Sequence, residues 1–266
     1  MTMKFKKKYT EYWEEAIKKP IDGLAIAGLR EVHTFLPLLK IQKGEKLLDM
    51  GCSFGRMYPA LAEYTDHISG VEPDPYAVEK AKLNPYKKVL VGTAEQTGFD
   101  SGYFDHIFCW AVFDVVDHAK GFREANRILT SGGHFLVTGK NNNYYPDDEF
   151  AYKAEKNAYL KAFPNHFANL GKLISALSIL GFVVEKLFLF PRRGDFGQLK
   201  FIEVNSDNGE FLGYEYLLIC RKVSEVTESF EPDIRLDGPF SMTAEKMALQ
   251  KGYESAKALF EAIGID

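Results

Sequence analysis

The stretch Leu47–Arg56 reads LLDMGCSFGR and carries the most informative pattern in the chain. An apolar run followed by a glycine-punctuated turn and a helical pattern indicates a strand, a turn and a helix. Glycines at positions 51 and 55 allow the backbone to approach a ligand closely. The first helical turn at Gly55 is expected to present unpaired N–H groups, which suit an anionic carboxylate.

Outward from this stretch, short apolar runs alternate with helical patterns along the chain. This alternation predicts an α/β fold with a doubly wound, mostly parallel sheet of seven strands. The predicted strands of the first part are Lys46–Met50, Ile68–Glu72, Val89–Gly92, His106–Trp110 and His134–Thr138. The predicted helices between them are Gly55–Tyr64, Pro75–Leu83 and Gly121–Leu129, with Asp22–Lys40 before the first strand. Gly132 and Gly133 predict a turn before the fifth strand.

The overall composition excludes several classes of protein. The 266 residues contain 33 Lys and Arg against 37 Asp and Glu, a net charge of -4 that offers no attraction to nucleic acid or anionic membranes. The 3 cysteines form no CxxC pair, which favours a reducing compartment. With no signal-peptide pattern at the start and no apolar stretch of ~18 residues, we expect a cytoplasmic protein. The histidines form no metal-ligand cluster, so no metal site is predicted.

Two familiar motifs compete for the turn and neither fits well. The dinucleotide fingerprint G-x-G-x-x-G needs glycines where the chain has Ser53 and Arg56, which argues against a nicotinamide-dependent oxidoreductase. Residues 51–55 also match G-x-S-x-G, the elbow that presents a hydrolase serine. Such an elbow follows several strands and an oxyanion-hole loop, whereas residues 1–45 have helical patterns. Ser53 is therefore not expected to be a nucleophile.

The same residues resemble the first motif of class I S-adenosylmethionine-dependent methyltransferases, in the group that acts on small molecules. Asp49, Gly51 and Gly55 match its acid, x, Gly, x, Gly, x, Gly pattern, and Ser53 replaces the middle glycine. The resemblance extends over about residues 40 to 140, because Arg127–Gly133 is similar to the family's arginine, leucine and double-glycine turn. It implies a Rossmann-like methyltransferase fold with S-adenosylmethionine as the cofactor.

The resemblance also implies which residues bind this cofactor. The turn would hold the methionyl carboxylate, with Asp49 near the ammonium. Glu72 ends the second strand and would accept hydrogen bonds from both ribose hydroxyls. Thr93 stands where the family usually has an aspartate for the adenine amino group, so Ala94 or Glu95 is an alternative. The full predicted set is Asp49, Gly51, Ser53, Gly55, Glu72, Pro73, Thr93, Ala94, Glu95 and Trp110.

The chain divides into five predicted regions. Residues 1–45 form N-terminal helices packing on the core, 46–140 the cofactor-binding half of the sheet domain, and 141–180 a helical cap inserted after the fifth strand. Residues 181–223 provide the last two strands, Phe182–Phe190 and Tyr214–Cys220, which we expect to pair antiparallel. Residues 224–266 form a linker and a C-terminal helix.

Four side chains are candidates for removing a proton from the acceptor: His118, Tyr144, Tyr145 and His166. His118 follows the fourth predicted strand and the two tyrosines follow the fifth, at the edge where this fold binds ligands, whereas His166 opens a predicted cap helix. His118 ranks first, because an imidazole with an ordinary pKa of ~6.5 is a base near neutrality, whereas a tyrosine at ~10 is not.

The predicted function is methyl transfer from S-adenosylmethionine to an oxygen, nitrogen or carbon nucleophile of a small molecule. The acceptor is expected under residues 141–180 and the Arg192–Arg193 loop. A catalytically inactive binding subunit with the same fold stays open, because Ser53 and Thr93 depart from the family pattern. The sequence leaves the identity of the acceptor and the oligomeric state open.

Overall fold

The computed structural model describes residues 24–205, 211–226 and 236–264, whose strands form one mixed sheet. Its long strands are β1 (Leu47–Met50), β2 (Ile68–Glu72), β3 (Lys88–Val91), β4 (Phe104–Cys109), β5 (Leu129–Asn141), β7 (Phe182–Phe190) and β9 (Glu215–Lys222). Three strands of two residues each extend it, namely β6 (Phe167–Ala168), β8 (Ile202–Glu203) and β10 (Asp237–Gly238).

The strand order is β3-β2-β1-β4-β5-β9-β7-β8, and β1 to β5 run parallel. The order reverses between β1 and β4, which creates the crevice where ligands bind in such sheets. β9 lies between β5 and β7 and is antiparallel to both. The predicted doubly wound sheet and the antiparallel pairing of the last two long strands are confirmed.

The helices are α1 (Leu24–Phe35), α2 (Tyr58–Leu61), α3 (Pro75–Ala81), α4 (His118–Ile128), α5 (Glu149–Leu160), α6 (Leu170–Leu177), α7 (Met242–Gln250) and α8 (Ala256–Ile263). The single predicted C-terminal helix is wrong, because Gly252, in a left-handed conformation, lies between α7 and α8. The backbone at Gly252 has a φ of 81°. Residues 1–23 of the predicted N-terminal segment and residues 227–235 of the predicted linker lie outside the described residues.

Two apolar clusters cover the two faces of the sheet. One cluster includes Phe122 of α4 and Leu173 of α6, and the other includes Val32 and Phe35 of α1. The second half of the predicted cap is therefore not part of a cap. Its helix α6 covers one face of the sheet, because its apolar residues are buried there. α5 instead packs beside α7 and α8, where the ring of Tyr152 contacts that of Phe260 at 5.6 Å.

The predicted turn at Gly132 is a bulge within β5. The register jumps from Leu129 opposite Phe104 to His134 opposite His106, and Gly132 takes a φ of 80°. Among the described residues, no helix is long and apolar enough to cross a membrane. In the same part of the chain, no group of three or more His, Cys, Asp or Glu side chains is arranged to hold a metal ion.

Candidate active site

The segments predicted to bind the cofactor meet at one edge of the sheet. The turn at 51–57 follows β1, Pro73 and Asp74 follow β2, Thr93 follows β3, and Trp110 follows β4. Because parallel strands end at the same edge, these four connections are neighbours around the switch between β1 and β4.

The glycine-rich turn depends on backbone conformations that favour glycine. Gly51 and Gly55 have φ values of 82° and 79°, and Ser53 between them has a φ of 48°. A Cβ atom on Gly51 would lie 2.4 Å from a methyl group of Val112, and one on Gly55 would lie 2.5 Å from the Asn84 amide nitrogen. Ser53 thus adopts the left-handed conformation that the replaced glycine would favour.

The helix after this turn differs from the prediction. α2 begins at Tyr58 rather than at Gly55, and the Gly55 N–H donates to the Cys52 carbonyl at 2.8 Å. The expectation that an open helical N-terminus at Gly55 presents free N–H groups is therefore wrong, because the turn bonds to itself there.

Glu72 links the glycine-rich turn after β1 to the loop after β2. One carboxylate oxygen accepts the Ser53 N–H at 3.1 Å, and the other accepts the Asp74 N–H at 3.1 Å. The residue is buried, and this burial raises its pKa to about 7 despite the two N–H donors. Each oxygen keeps a lone pair, since a carboxylate oxygen can accept more than one hydrogen bond.

Asp49 lies at the end of β1, and its partner was missed by the sequence analysis. The hydroxyl of Tyr86 donates to its Oδ2 atom at 2.6 Å. Burial raises the pKa of Asp49 to about 7, although the Tyr86 hydrogen bond opposes the shift. Nothing in the local pattern around Tyr86 marks it as a site residue, since it lies in the connection before β3.

The loops after β3 and β4 contact each other. Thr93 and Gln96 exchange backbone hydrogen bonds of 3.1 Å each, and Ala94 belongs to the first apolar cluster. A carboxylate oxygen of Glu95 accepts the Asp117 N–H at 3.1 Å. Trp110 packs in the second apolar cluster, with its ring 5.4 Å from Phe108 and 5.0 Å from Phe196.

His118 is fully buried at the start of α4. Its Nε2 atom lies 2.6 Å from the Phe113 carbonyl oxygen and therefore carries the proton, since a carbonyl only accepts. Its Nδ1 atom lies 3.2 Å from an oxygen of Asp237, and burial lowers its pKa. The ranking of His118 as the first base does not fit this environment, because neither ring nitrogen faces solvent.

His166 shares Asp237 with His118 but is accessible. Its Nδ1 atom lies 3.4 Å from the other oxygen of Asp237, and a third of the side chain is exposed. The Asp237 carboxylate beside this imidazole raises the pKa of His166, against the effect of burial. Asp237 comes from β10 near the C-terminus and has no signal in the sequence.

The two candidate tyrosines lie in different environments. The Tyr144 hydroxyl donates to Glu155 at 2.7 Å, in a buried network that also includes Ser241. Burial and the Glu155 carboxylate raise the pKa of Tyr144, which does not suit a base. Tyr145 is half-buried beneath the Arg192 guanidinium, which lies 5.0 Å from its ring centre.

Charged side chains line the same edge beyond β5. Lys140 lies 2.9 Å from Asp114 and 2.6 Å from the Asn165 amide oxygen. Its partner in the sheet register is Glu215, at the start of β9. The sequence analysis singled out Arg193 of the neighbouring loop, but not Lys140, Asp114 or Glu215.

Comparisons with known proteins agree with this arrangement. Residues 48–137 match a family described as a methyltransferase domain. An uncharacterized methyltransferase of Synechocystis is 33% identical over 135 residues, covering 48% of this chain and 63% of the relative. A ubiquinone biosynthesis O-methyltransferase of Thiobacillus denitrificans is 27% identical, covering 53% and 62%. The chain thus spans less than two thirds of either relative.

Among solved structures, a protein from Thermotoga maritima is described as an S-adenosylmethionine-dependent, possible histamine N-methyltransferase. It has a TM-score of 0.58 at 23% identity, covering 83% of this chain and 98% of its own. The fold and the matched residues are similar to those of class I S-adenosylmethionine-dependent methyltransferases. Residues 48–137 therefore carry a methyltransferase domain, as the resemblance predicted, and this match supports S-adenosylmethionine as the cofactor.

Proposed function

We propose that this protein transfers the methyl group of S-adenosylmethionine to an oxygen, nitrogen or carbon nucleophile of a small molecule, with S-adenosylhomocysteine as the product. The observation that carries the proposal is the contact between Glu72 and the Ser53 N–H at 3.1 Å. This contact holds the acid suited to a ribose directly against the glycine-rich turn suited to a methionyl group.

Each part of the cofactor has candidate partners along the edge. Glu72 would accept the ribose hydroxyls, because its carboxylate is already fixed by two N–H donors. Asp49 would pair with the ammonium, beside the turn of Gly51, Ser53 and Gly55. The remaining candidates border the adenine and methyl ends, namely Pro73, Thr93, Ala94, Glu95 and Trp110.

The chain's own contribution is orientation and removal of a proton. The sulfonium supplies the activated methyl group, and aligning two reactants is worth up to ~7–11 kcal/mol. Of the four candidate bases, His166 combines an accessible imidazole with an orienting carboxylate, Asp237. Tyr145 is the second accessible candidate, and we propose structural roles for His118 and Tyr144.

We propose that the acceptor is a small molecule bound at this edge, under residues 141–180 and the Arg192–Arg193 loop. The loop is fixed to the first of these segments, because Arg192 lies 2.9 Å from Asp147 and the Arg193 N–H donates to Asp148 at 2.8 Å. The acidic net charge of -4 gives no support for nucleic acid as the acceptor.

Calorimetric titration with S-adenosylhomocysteine tests the cofactor site, and release of that product from S-adenosylmethionine tests turnover. Glu72→Gln should weaken binding at least ~10-fold, as expected for hydrogen bonds to a charged group. Glu79→Gln is the matched control, since Glu79 is exposed on α3 and pairs with Lys82. A wild-type protein that binds no S-adenosylhomocysteine would refute the proposal.

A further inference from the structure

Glu215 is an acid at the acceptor side of the edge that neither the family pattern nor the sequence singled out. It is the first residue of β9, opposite Lys140 of β5 and Phe190 of β7. Because β9 is antiparallel to β5, its start lies at the edge where β1, β4 and β5 end. Glu215 thus lies at the same edge of the sheet as the glycine-rich turn, and its side chain is partly buried.

The carboxylate of Glu215 has no donor within the described ranges of the chain, in which no hydrogen bond or ion pair reaches it. Its register partner Lys140 is directed to Asp114 and Asn165 instead. The buried acids Glu72 and Glu155, in contrast, accept hydrogen bonds from backbone N–H groups of the protein. A partly buried carboxylate without a donor from the protein is a candidate for receiving one from a ligand.

Among the residues that the structure describes, no cation lies within ion-pair distance of the Glu215 carboxylate. The Lys140 charge is offset by Asp114 at 2.9 Å. Burial raises the pKa of Glu215 to about 7, although Lys140 and Arg193 act in the opposite direction. The site therefore offers a hydrogen-bond acceptor that becomes fully negative above neutral pH.

We infer that the acceptor of this methyltransferase carries a basic nitrogen, whose N–H group donates a hydrogen bond to Glu215. The inference rests on the proposed function and specifies its acceptor. A cationic nitrogen forms a charge-assisted hydrogen bond with a carboxylate, which is stronger than the bond from a neutral hydroxyl. A carboxylate ligand would be repelled by Glu215.

Three probes of one shape separate these possibilities: benzylamine, benzyl alcohol and benzoate. Each is titrated calorimetrically into protein saturated with S-adenosylhomocysteine, at a pH above 7. Benzylamine should bind and the other two should not. Glu215→Gln should weaken benzylamine binding at least ~10-fold. Glu185→Gln is the control, because Glu185 is paired with Arg221 elsewhere on the sheet. This variant should bind benzylamine like wild type.

The inference is overturned by equal or tighter binding of the alcohol or benzoate, by an unchanged affinity in Glu215→Gln, or by a failure of benzylamine to bind. Thermal unfolding of each variant verifies that it is folded. Titration of the same preparations with S-adenosylhomocysteine distinguishes a failure of the proposed function from a failure of the inference about Glu215. Lost cofactor binding in wild type refutes the proposed function, whereas intact cofactor binding without selectivity for the amine refutes only the role of Glu215.

Discussion

The hydroxyl of Tyr86 lies 2.6 Å from Oδ2 of Asp49, and this hydrogen bond orients the acid at the start of the glycine-rich turn. Tyr86 also packs against Tyr58, with ring centres 4.6 Å apart. Its ring is next to Gly55, where an added Cβ atom would lie 3.3 Å from it. An aromatic residue of the connection between α3 and β3 therefore packs against the turn that resembles the family's first motif.

We expect Tyr86→Phe to weaken S-adenosylhomocysteine binding by ~3- to 10-fold, because Asp49 loses the donor that fixes its carboxylate. The measurement is calorimetric titration at pH 7. Tyr58→Phe is the matched control, since the Tyr58 hydroxyl donates to the Pro85 carbonyl at 3.2 Å and does not contact Asp49. Equal affinities of the two variants would show that Tyr86 has no positioning role.

Cofactor affinity should increase with pH around neutrality. Burial raises the pKa values of Asp49 and Glu72 to about 7 in the empty protein. A ligand that requires an ionised carboxylate then binds up to ~10-fold more tightly at pH 8 than at pH 6 for each such group. Titrations with S-adenosylhomocysteine across this range measure the slope, and Asp49→Asn should flatten it. A slope of zero in wild type would contradict the assignment of both acids.

The same two groups predict how the stability of the empty protein depends on pH. Their folded-state pKa values of about 7 exceed the ordinary values of 3.8 and 4.5, so the folded protein binds more protons between these limits. The free energy of unfolding from these groups is therefore highest below pH ~4 and is lost as the pH rises through 7. Urea unfolding of Glu72→Gln should show a smaller loss over this window than wild type.

Ser53→Gly should change the free energy of unfolding by less than ~2 kcal/mol, because two opposing effects partly cancel. Relief of a left-handed conformation is worth ~1–2 kcal/mol, and the greater freedom of an unfolded glycine costs ~0.4–1 kcal/mol. Ser53→Val should destabilise, because a branched side chain tolerates the φ of 48° poorly. S-adenosylhomocysteine binding by wild type and Ser53→Gly alike would show an intact cofactor pocket, whereas binding by the glycine variant alone would show that Ser53 has made the pocket defunct.

His118→Gln should lower the free energy of unfolding by ~2 kcal/mol, since it disturbs contacts with the Phe113 carbonyl and Asp237 inside the core. Cofactor affinity should stay unchanged in the folded variant. Urea unfolding measures the first effect and calorimetry the second. His67→Gln, at an exposed histidine, is the control. A stable variant with selectively lost turnover would restore His118 as the base.

Asp237→Asn should lower the pKa of His166, because the negative charge of this carboxylate, 3.4 Å from Nδ1, holds the pKa above its ordinary value. A titration followed by NMR of the histidine side chains measures the shift without any acceptor. The His67 signal serves as the internal reference. An unchanged pKa of His166 would mean that Asp237 does not orient or charge it.

Local patterns in the sequence determined the order and type of the central elements. The predicted bounds of Ile68–Glu72 and Phe182–Phe190 match β2 and β7. The bounds of these strands could be predicted because apolar runs indicate which residues a strand buries, and glycine turns indicate where it ends. Placing Glu72 at a strand end also located it at the ligand edge, since parallel strands end together.

Only the tertiary structure decided which titratable side chains are accessible and which partners they have. His118 and Asp237 are separated by 119 positions, and Asp49 and Tyr86 by 37. Glu215 and Lys140 come together only through the pairing of β9 with β5. Burial and charge pairing depend on how distant segments pack against one another, and a periodic pattern within one segment contains no information about its distant neighbours.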